Sequence, residues 1–172
     1  MQDWYVLHVY TGKENDVANV LSRQLPQCKS MVPRRLMRER KNGIWQNKIR
    51  NLFPGYVFIY SKMNAVIYYT LTALPYVIKI LGSDRGPQPV SEAEINPILR
   101  WHGSGDPLGI SAMYVEGGHI QVIEGPLQGM EGQIIKVDAR RQRAKVNISL
   151  MGQPRVVELA VKMITKSEPV SC

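Results

Sequence analysis

Residues 52–60, Leu-Phe-Pro-Gly-Tyr-Val-Phe-Ile-Tyr, decide the first half of the fold. The second half of this stretch is too apolar for a solvated strand, so it predicts a central strand of a sheet. An aromatic and β-branched stretch at Trp4–Val9 predicts a second buried strand, and Tyr76–Leu81 predicts a third. The first half of the chain is therefore expected to be built around a sheet.

Helix signals separate these strands. Thr11 followed three residues later by Glu14 forms a capping box, which satisfies free N–H groups at a helix start. A weaker helical segment covers residues 64–73, and Ser91 with Glu94 forms a second capping box. Strands and helices together predict an α/β sandwich.

A strongly basic hairpin is expected at residues 31–50. Asn42-Gly43 lies between two extended segments and favours a type I′ turn, because both positions accept a positive φ. Trp45 lies near the tip. The segment 34–50 carries seven cations against the single acid Glu39, and these are Arg34, Arg35, Arg38, Arg40, Lys41, Lys48 and Arg50.

The C-terminal part has a different pattern. Residues 102–114 lose all periodicity and contain three glycines, which predicts a linker. Gly125, Gly129 and Gly132 fit turns between strands. Short strands with turn signals between them predict a small β-barrel, and they are His119–Glu124, Gly132–Val137, Ala144–Leu150 and Arg155–Val161.

Composition narrows the possible functions. The 172-residue chain has a net charge of +8, which suggests a nucleic-acid partner. It has neither an apolar run long enough to span a membrane nor a signal-peptide pattern, so a cytoplasmic protein without a membrane partner is expected. No P-loop, nucleophile elbow or paired carboxylates are found, so we expect a binding protein rather than an enzyme, with no cofactor. The scattered cysteines and histidines predict no metal site, and they are Cys28, Cys172, His8, His102 and His119.

Two segments together carry a family resemblance. Trp4-Tyr5-Val6 joins with residues 52–57, and His119–Gly132 is followed by Val157-Glu158-Leu159. This combination resembles the NusG family of transcription elongation factors. The resemblance implies an α+β fold. It comprises an NGN-type α/β sandwich over 1–101, with an antiparallel sheet and flanking helices, then a linker at 102–114 and a small KOW SH3-like β-barrel over 115–172.

The resemblance also implies a partner. Family N-terminal domains bind the clamp helices of the RNA polymerase largest subunit through an apolar depression. The matching residues here are Trp4, Phe53, Pro54, Gly55 and Tyr56. Aromatic side chains suit such a contact because they bury a large area at few positions. The alternative is that Trp4 and Phe53 belong to the core.

A second polymerase contact of the family falls on residues 67–70 of this chain. It is assigned by position more than by identity, and it makes Tyr68 and Thr70 candidate polymerase-binding residues.

Two basic segments are candidate nucleic-acid sites. The hairpin corresponds to a family region near upstream DNA, where its cations would neutralise phosphates and Trp45 could stack on an unpaired base. The second segment, residues 136–145, has Asp138 as its only acid and suits phosphates and guanines of a folded RNA. The alternative for both is a hairpin made soluble by charge. The candidate nucleic-acid-binding residues are Arg34, Arg35, Arg38, Lys41, Trp45, Lys48, Arg140, Arg141, Arg143, Lys145 and Lys162; Lys136, Arg155 and Lys166 could extend the second group.

Departures from the family pattern favour a specialised member. Leu127, Met130 and Met151 occupy positions where partner-recruiting KOW domains commonly carry phenylalanines. We therefore expect a monomeric LoaP-like or RfaH-like factor that reduces pausing and promotes operon-specific processive antitermination, recruited by a nascent leader RNA hairpin. One alternative is a general NusG elongation and termination factor whose KOW domain binds proteins. The other is a ribosome-associated RNA-binding KOW protein.

Overall fold

The computed structural model describes residues 1–165, so Lys166 and Cys172 lie outside the described residues. Within that range the helices are α1 (Glu14–Gln24), α2 (Ala65–Thr72) and α3 (Glu92–Ser104), with a short 3-10 turn at Glu131–Gln133. The strands are β1 (Asp3–Val9), β2 (Lys29–Met31), β3 (Arg34–Lys41), β4 (Ile44–Asn51), β5 (Tyr56–Ser61), β6 (Val77–Ile80), β7 (Gly82–Ser83), β8 (Gly86–Pro87), β9 (Ser111–Glu116), β10 (His119–Glu124), β11 (Ile134–Asp138), β12 (Arg143–Leu150) and β13 (Gln153–Met163). The mixed α and β composition is as predicted.

The described chain divides into two compact units. Unit 1 takes Met1–Val32, Phe53–Pro97 and Leu150–Gly152. Unit 2 takes Pro33–Leu52, Ile98–Ser149 and the described residues after Gly152. The basic hairpin, which the sequence assigns to 1–101, thus belongs to unit 2. The predicted domain boundaries themselves stay a prediction.

Unit 1 is built on an antiparallel sheet of four strands in the order β2-β5-β1-β6. Leu7 and Val9 of β1 pack with Ile59 of β5 in its core. α1 adds Val17 and Leu21 to the same core, and α2 adds its own apolar residues. The apolar residues of each helix recur at helical spacing and so form one stripe. Burial of this stripe against the sheet holds the helix in place.

The first capping-box prediction is wrong. α1 begins at Glu14, its N-cap is Lys13, and no side chain caps it. Gly12 adopts a φ of 93°, and its N–H donates instead to Glu14 Oε1 over 2.6 Å. Glu14 is buried, with 2% of its surface exposed, and its Oε1 also accepts from Gly55 N at 3.4 Å. The carboxylate therefore ties the β1–α1 turn to the start of β5.

The other helix starts follow local chemistry more closely. Asn64 caps α2, accepting the N–H of Ile67 over 2.9 Å, so the predicted helix over 64–73 is found at Ala65–Thr72. α3 begins directly after Ser91, as its capping box predicts, although here the Ser91 hydroxyl donates to Glu94 Oε1.

Unit 2 contains a five-stranded sheet in the order β10-β9-β13-β12-β11. β12 alternates strictly between buried and exposed residues, with Ala144, Val146, Ile148 and Leu150 pointing inward. This period of two is the signal that predicts a half-buried strand.

The predicted linker at 102–114 is largely structured. Its first residues end α3, where the buried Trp101 donates from Nε1 to Pro126 O over 3.0 Å. Its last residues belong to β9, whose Ser111 lies opposite Val161 of β13 in a parallel pair. The strand also pairs with the neighbouring β10, and it was missed because its residues do not alternate between buried and exposed and its flanks are rich in glycine. No helix in residues 1–165 has both the length and the apolarity to cross a membrane.

Candidate nucleic-acid interface and aromatic face

One face of the unit 1 sheet carries paired rings. The register of β1 with β5 sets Trp4 opposite Tyr60 and His8 opposite Tyr56. Their ring centroids lie 5.2 Å and 5.4 Å apart, respectively. Opposed residues of an antiparallel pair share a face, so these four rings form one surface, which we call the aromatic face.

Phe58 belongs to the same face of the sheet, and Phe53 packs against it. Phe58 is fully buried between the two ring pairs, opposite Val6. Phe53 is 4% exposed and meets Phe58 edge-on at a centroid distance of 5.5 Å. Phe53 thus packs on Phe58, which lies between the two ring pairs of the aromatic face.

The sequence-predicted polymerase residues therefore differ in their environment. Trp4 and Tyr56 are partly exposed and Pro54 is exposed, whereas Phe53 and Gly55 are buried. Gly55 has a φ of 86°, and its carbonyl accepts the N–H of Val9 over 2.8 Å. The role of Gly55 in the fold is therefore to supply a backbone conformation with positive φ. Sequence reasoning missed His8 and Tyr60. His8 lies four residues after Trp4 and Tyr60 four residues after Tyr56, and this even spacing, which places both on the same face of the sheet, could have revealed them.

The second predicted contact lies on α2. Tyr68 is partly buried against the unit 1 core, and Thr70 bonds its own helix at Val66 O over 2.7 Å. The side chains offered to solvent are Val66 and Tyr69, which are 74% and 69% exposed. The accessible surface of α2 is thus formed by Val66 and Tyr69, the neighbours of the predicted Tyr68 and Thr70.

The basic hairpin has the predicted turn. Asn42 and Gly43 have φ values of 52° and 77°, and Lys41 pairs with Ile44 across them. Positive φ at both central residues is the type I′ geometry. Trp45 lies next to the tip, opposite Arg40.

The hairpin is fixed to the rest of unit 2 by its backbone. Leu36 N donates to Leu108 O and Leu108 N donates to Arg34 O, both over 2.8 Å. Arg34 also makes a bidentate ion pair with Asp106, at 3.1 and 3.2 Å. These bonds explain why the hairpin clusters with the five-stranded sheet.

A chain of charged groups joins β3, β12 and β13. Arg143 Nη1 donates to Glu158 Oε2 over 2.9 Å, and Arg143 Nη2 reaches Arg38 O at 3.4 Å. Arg35 Nη1 donates to the backbone oxygen of Glu158. Burial lowers the pKa of Arg35, an effect that nearby Arg143 and Arg50 reinforce and that Glu158 opposes. Glu158 therefore holds together two like charges that would otherwise repel.

Both basic segments line a single groove within unit 2. We call it the arginine groove; its volume is about 800 Å³. Four residues come from the hairpin and four from the end of β11, the start of β12 and the turn between them. They are Arg38, Glu39, Arg40, Trp45, Asp138, Arg140, Arg141 and Arg143.

The acids of the groove are already engaged. Glu39 receives a bidentate bond from Arg50, at 3.0 Å for each contact, and this bond lowers the pKa of Glu39. Asp138 Oδ1 accepts the backbone N–H of Arg141 over 3.0 Å. Five arginines and two carboxylates line the groove, so the excess of cations produces a positive field that favours an anion.

Trp45 forms part of the wall. The guanidinium of Arg38 lies 5.8 Å from the centroid of its ring and also donates to Asn47 Oδ1 over 3.0 Å. Such a cation–π contact orients an indole that remains partly exposed. The Nε atoms of Arg35, Arg38 and Arg143 are buried and have no hydrogen-bond partner among the described residues.

Not every predicted nucleic-acid residue lines this groove. Lys41 and Lys48 are exposed on the hairpin, and Arg34 is paired with Asp106. Lys145 lines a small neighbouring cavity of about 60 Å³ that includes Glu158, and Lys162 lines another that includes Arg38. Arg40, which was counted in the basic hairpin but not singled out, joins the groove. No group of three or more His, Cys, Asp or Glu residues in the described part of the chain could hold a metal ion.

The chain is similar to known proteins over most of its length. Residues 2–99 match the family model described as "Transcription termination factor nusG". The transcription termination/antitermination protein NusG of Yersinia pestis is 30% identical over 173 residues, covering 95% of this chain and 95% of the relative. That of Helicobacter pylori J99 is 25% identical over 174 residues, covering 96% and 99%. A solved structure on domain interaction in Thermotoga maritima NusG has a TM-score of 0.59 at 26% identity, covering 93% and 94% of the two chains.

The matched proteins are bacterial transcription termination and antitermination factors. The chain belongs to the NusG family.

Proposed function

We propose that this protein binds RNA polymerase through the aromatic face and nascent RNA through the arginine groove, and promotes operon-specific processive antitermination. The observation that carries the proposal is that both basic segments line one groove. In this proposal, the four-stranded sheet with its helices acts as an NGN domain, and the five-stranded sheet is a KOW SH3-like barrel. The protein would act as a cytoplasmic monomer without a cofactor, and its elongation activity would be non-enzymatic.

The aromatic face supports the polymerase contact. Trp4, His8, Tyr56 and Tyr60 combine large apolar area with partial exposure, and such side chains dominate the energy of protein interfaces. The expected partner is the pair of clamp helices of the polymerase largest subunit. Pro54 borders the same region, while Phe53 and Gly55 hold it in shape. Tyr68 and Thr70 remain candidates for the second contact.

The arginine groove supports the RNA contact. Arginine guanidiniums bind phosphate through paired N–H groups, which makes clustered arginines suited to a folded RNA. Arg140 and Arg141 are exposed at the turn and available to such a ligand. Upstream DNA stays a further possible ligand of the hairpin, whose Lys41 and Lys48 face solvent.

The second candidate function is that of a general elongation and termination factor with a protein-binding KOW domain. The names of the relatives favour it, since they include both termination and antitermination. Leu127, one of the three positions expected at the partner-recruiting surface, is fully buried. That burial weakens the surface such a factor would use. Sedimentation with ribosomes rather than with polymerase would instead support the ribosome-associated alternative.

Terminator read-through tests the proposal. Purified RNA polymerase would transcribe through an intrinsic terminator on a template carrying the protein's own upstream leader or a scrambled leader. We expect read-through only with the native leader, and loss of it in the double variant R140E/R141E. R23E, a reversal at an exposed residue of α1, is the control. Equal effects on both templates would overturn operon-specific recruitment and favour the general factor.

A further inference from the structure

We propose that the arginine groove is a site for an unpaired nucleotide in the loop of an RNA stem-loop, with the phosphates on its arginines and the base stacked on Trp45. The inference rests on the proposed RNA binding and says which part of the RNA enters. It also assigns the hairpin and the 138–143 segment, which the sequence suggests as separate DNA and RNA contacts, to one ligand.

The groove has the size and the charge for such a ligand. Its volume of about 800 Å³ is within the range of sites that enclose small molecules, roughly 300–1,000 Å³. Its five arginines come from both segments, and its acids Glu39 and Asp138 already accept hydrogen bonds from within the protein. A bound phosphate would therefore meet arginines on both sides and more cations than acids.

Trp45 indicates which part of an RNA enters. Bases inside a duplex already stack on one another, so a protein ring can stack only on a base that is unpaired. The indole of Trp45 lines the groove, is partly exposed and is oriented by the guanidinium of Arg38. A site that only neutralised duplex phosphates would make no use of the exposed part of this ring.

The groove is also preformed. Arg143 bonds Glu158 Oε2 and approaches Arg38 O, while Arg35 bonds the backbone of Glu158. These contacts fix the hairpin and the start of β12 to the same strand, β13. A preformed site loses less conformational freedom on binding, which favours affinity.

Direct RNA binding tests the inference. The probes are a fluorescein-labelled RNA stem-loop and the blunt duplex formed from the same stem, titrated with the full chain. We expect W45A to weaken stem-loop binding about ten-fold and to leave duplex binding unchanged, because base stacking is lost. W45F should recover most of the affinity, since a ring is restored. I44A is the matched control, because Ile44 is the exposed neighbour that alternates to the other side of the strand.

The charge variants test whether the site is one or two. R40E from the hairpin and R141E from the turn should each weaken binding of the same stem-loop several-fold and reduce its salt dependence. R23E should have no such effect. If only R141E acts on the stem-loop, the shared site is wrong.

The outcomes separate this inference from the proposed function. RNA binding that depends on the arginines but is equal for W45A and the wild type would overturn the unpaired-base site alone. If W45A lost the same affinity for the stem-loop and for the duplex, the unpaired-base site would also be overturned, because Trp45 would then support the fold of the groove and not stack on a base. Absence of binding to either probe would overturn both this inference and the proposed RNA function.

Discussion

Arg143 and Glu158 form a partly buried ion pair, with 2.9 Å between Nη1 and Oε2 and side chains that are 16% and 28% exposed. The pair joins β12 to β13, and the second terminal nitrogen of Arg143 reaches the hairpin backbone at Arg38 O. The residues belong to segments that look unrelated in the sequence. Their contact is what fixes the arginine groove.

The first prediction concerns Glu158. E158Q keeps the backbone oxygen that Arg35 uses but removes the charged acceptor of Arg143. We expect a loss of about 1–2 kcal/mol in the free energy of unfolding, because a partly buried guanidinium loses its counter-charge. Urea denaturation measures it. D84N, in an exposed turn, is the control and should change stability by less than about 0.5 kcal/mol. A midpoint for E158Q no lower than that of D84N would contradict the prediction.

The second prediction concerns pH and Glu39. The hydrogen bond from Arg50 holds the pKa of Glu39 below its ordinary value of 4.5. Its stabilising contribution is therefore complete above about that pH and is lost as the pH falls through the lowered value. Both side chains are at least one-third exposed, so solvent screens the pair and its contribution to stability is small.

Titration of the Glu39 carboxyl carbon by NMR checks this prediction. In R50Q the pKa should rise towards the ordinary value, and 1 M salt should weaken the difference between R50Q and the wild type. The same titration curve for both proteins would show that Arg50 does not set the protonation of Glu39.

The third prediction compares two glycines of one loop. Gly125 has a φ of 102°, and a Cβ there would lie 2.5 Å from Ser111 Cα and 2.7 Å from Ile110 O. Gly129 has a φ of 81° with no atom within 4 Å of such a Cβ. G129A should therefore cost about 1 kcal/mol from backbone strain alone. G125A should cost roughly 3 kcal/mol or more, because backbone must also move. Thermal unfolding of the two variants measures both losses of stability, and equal losses would contradict the close approach of Ser111 and Ile110 to Gly125.

The fourth prediction separates support from contact on the aromatic face. F53A removes a buried ring and should cost about 3–5 kcal/mol in stability. Y56A removes a partly exposed ring and should destabilise less, yet weaken polymerase binding at least several-fold if this face is the interface. Circular dichroism melting and polymerase pull-down measure the two effects. Y10A, which removes a ring that is 59% exposed elsewhere in unit 1, serves as the control for both. Unchanged binding by Y56A would argue against the aromatic face.

Much of the local structure follows from the sequence. Asn42-Gly43 predicts the hairpin turn because both residues accept positive φ, and the observed angles agree. The apolar run at 56–60 predicts β5, and the alternation from Ala144 to Leu150 predicts β12. Each signal depends on residues that are neighbours in the chain, so a sequence pattern is sufficient to detect it.

Other features could not be predicted from the sequence, because they depend on contacts that only the folded chain makes. The Thr11–Glu14 pair matches a capping box, but the Glu14 carboxylate bonds the backbone of Gly12 and Gly55. β9 lies in a stretch without hydrophobic periodicity, and its pairing with both β10 and β13 is seen only in the folded chain. Gly125 and Gly129 look alike in sequence, and the neighbouring Ile110 and Ser111 distinguish them.

The sequence by itself determined the family, the basic character of two segments, and the aromatic residues of β1 and β5. The tertiary structure decided that the hairpin packs with the five-stranded sheet, that Phe53 is buried against Phe58, and that both basic segments share a groove. The physical reason is the range of the interactions. Propensity and turn geometry act over a few residues, whereas the bonds of Arg35 and Arg143 to Glu158 join parts of the chain that only folding brings together.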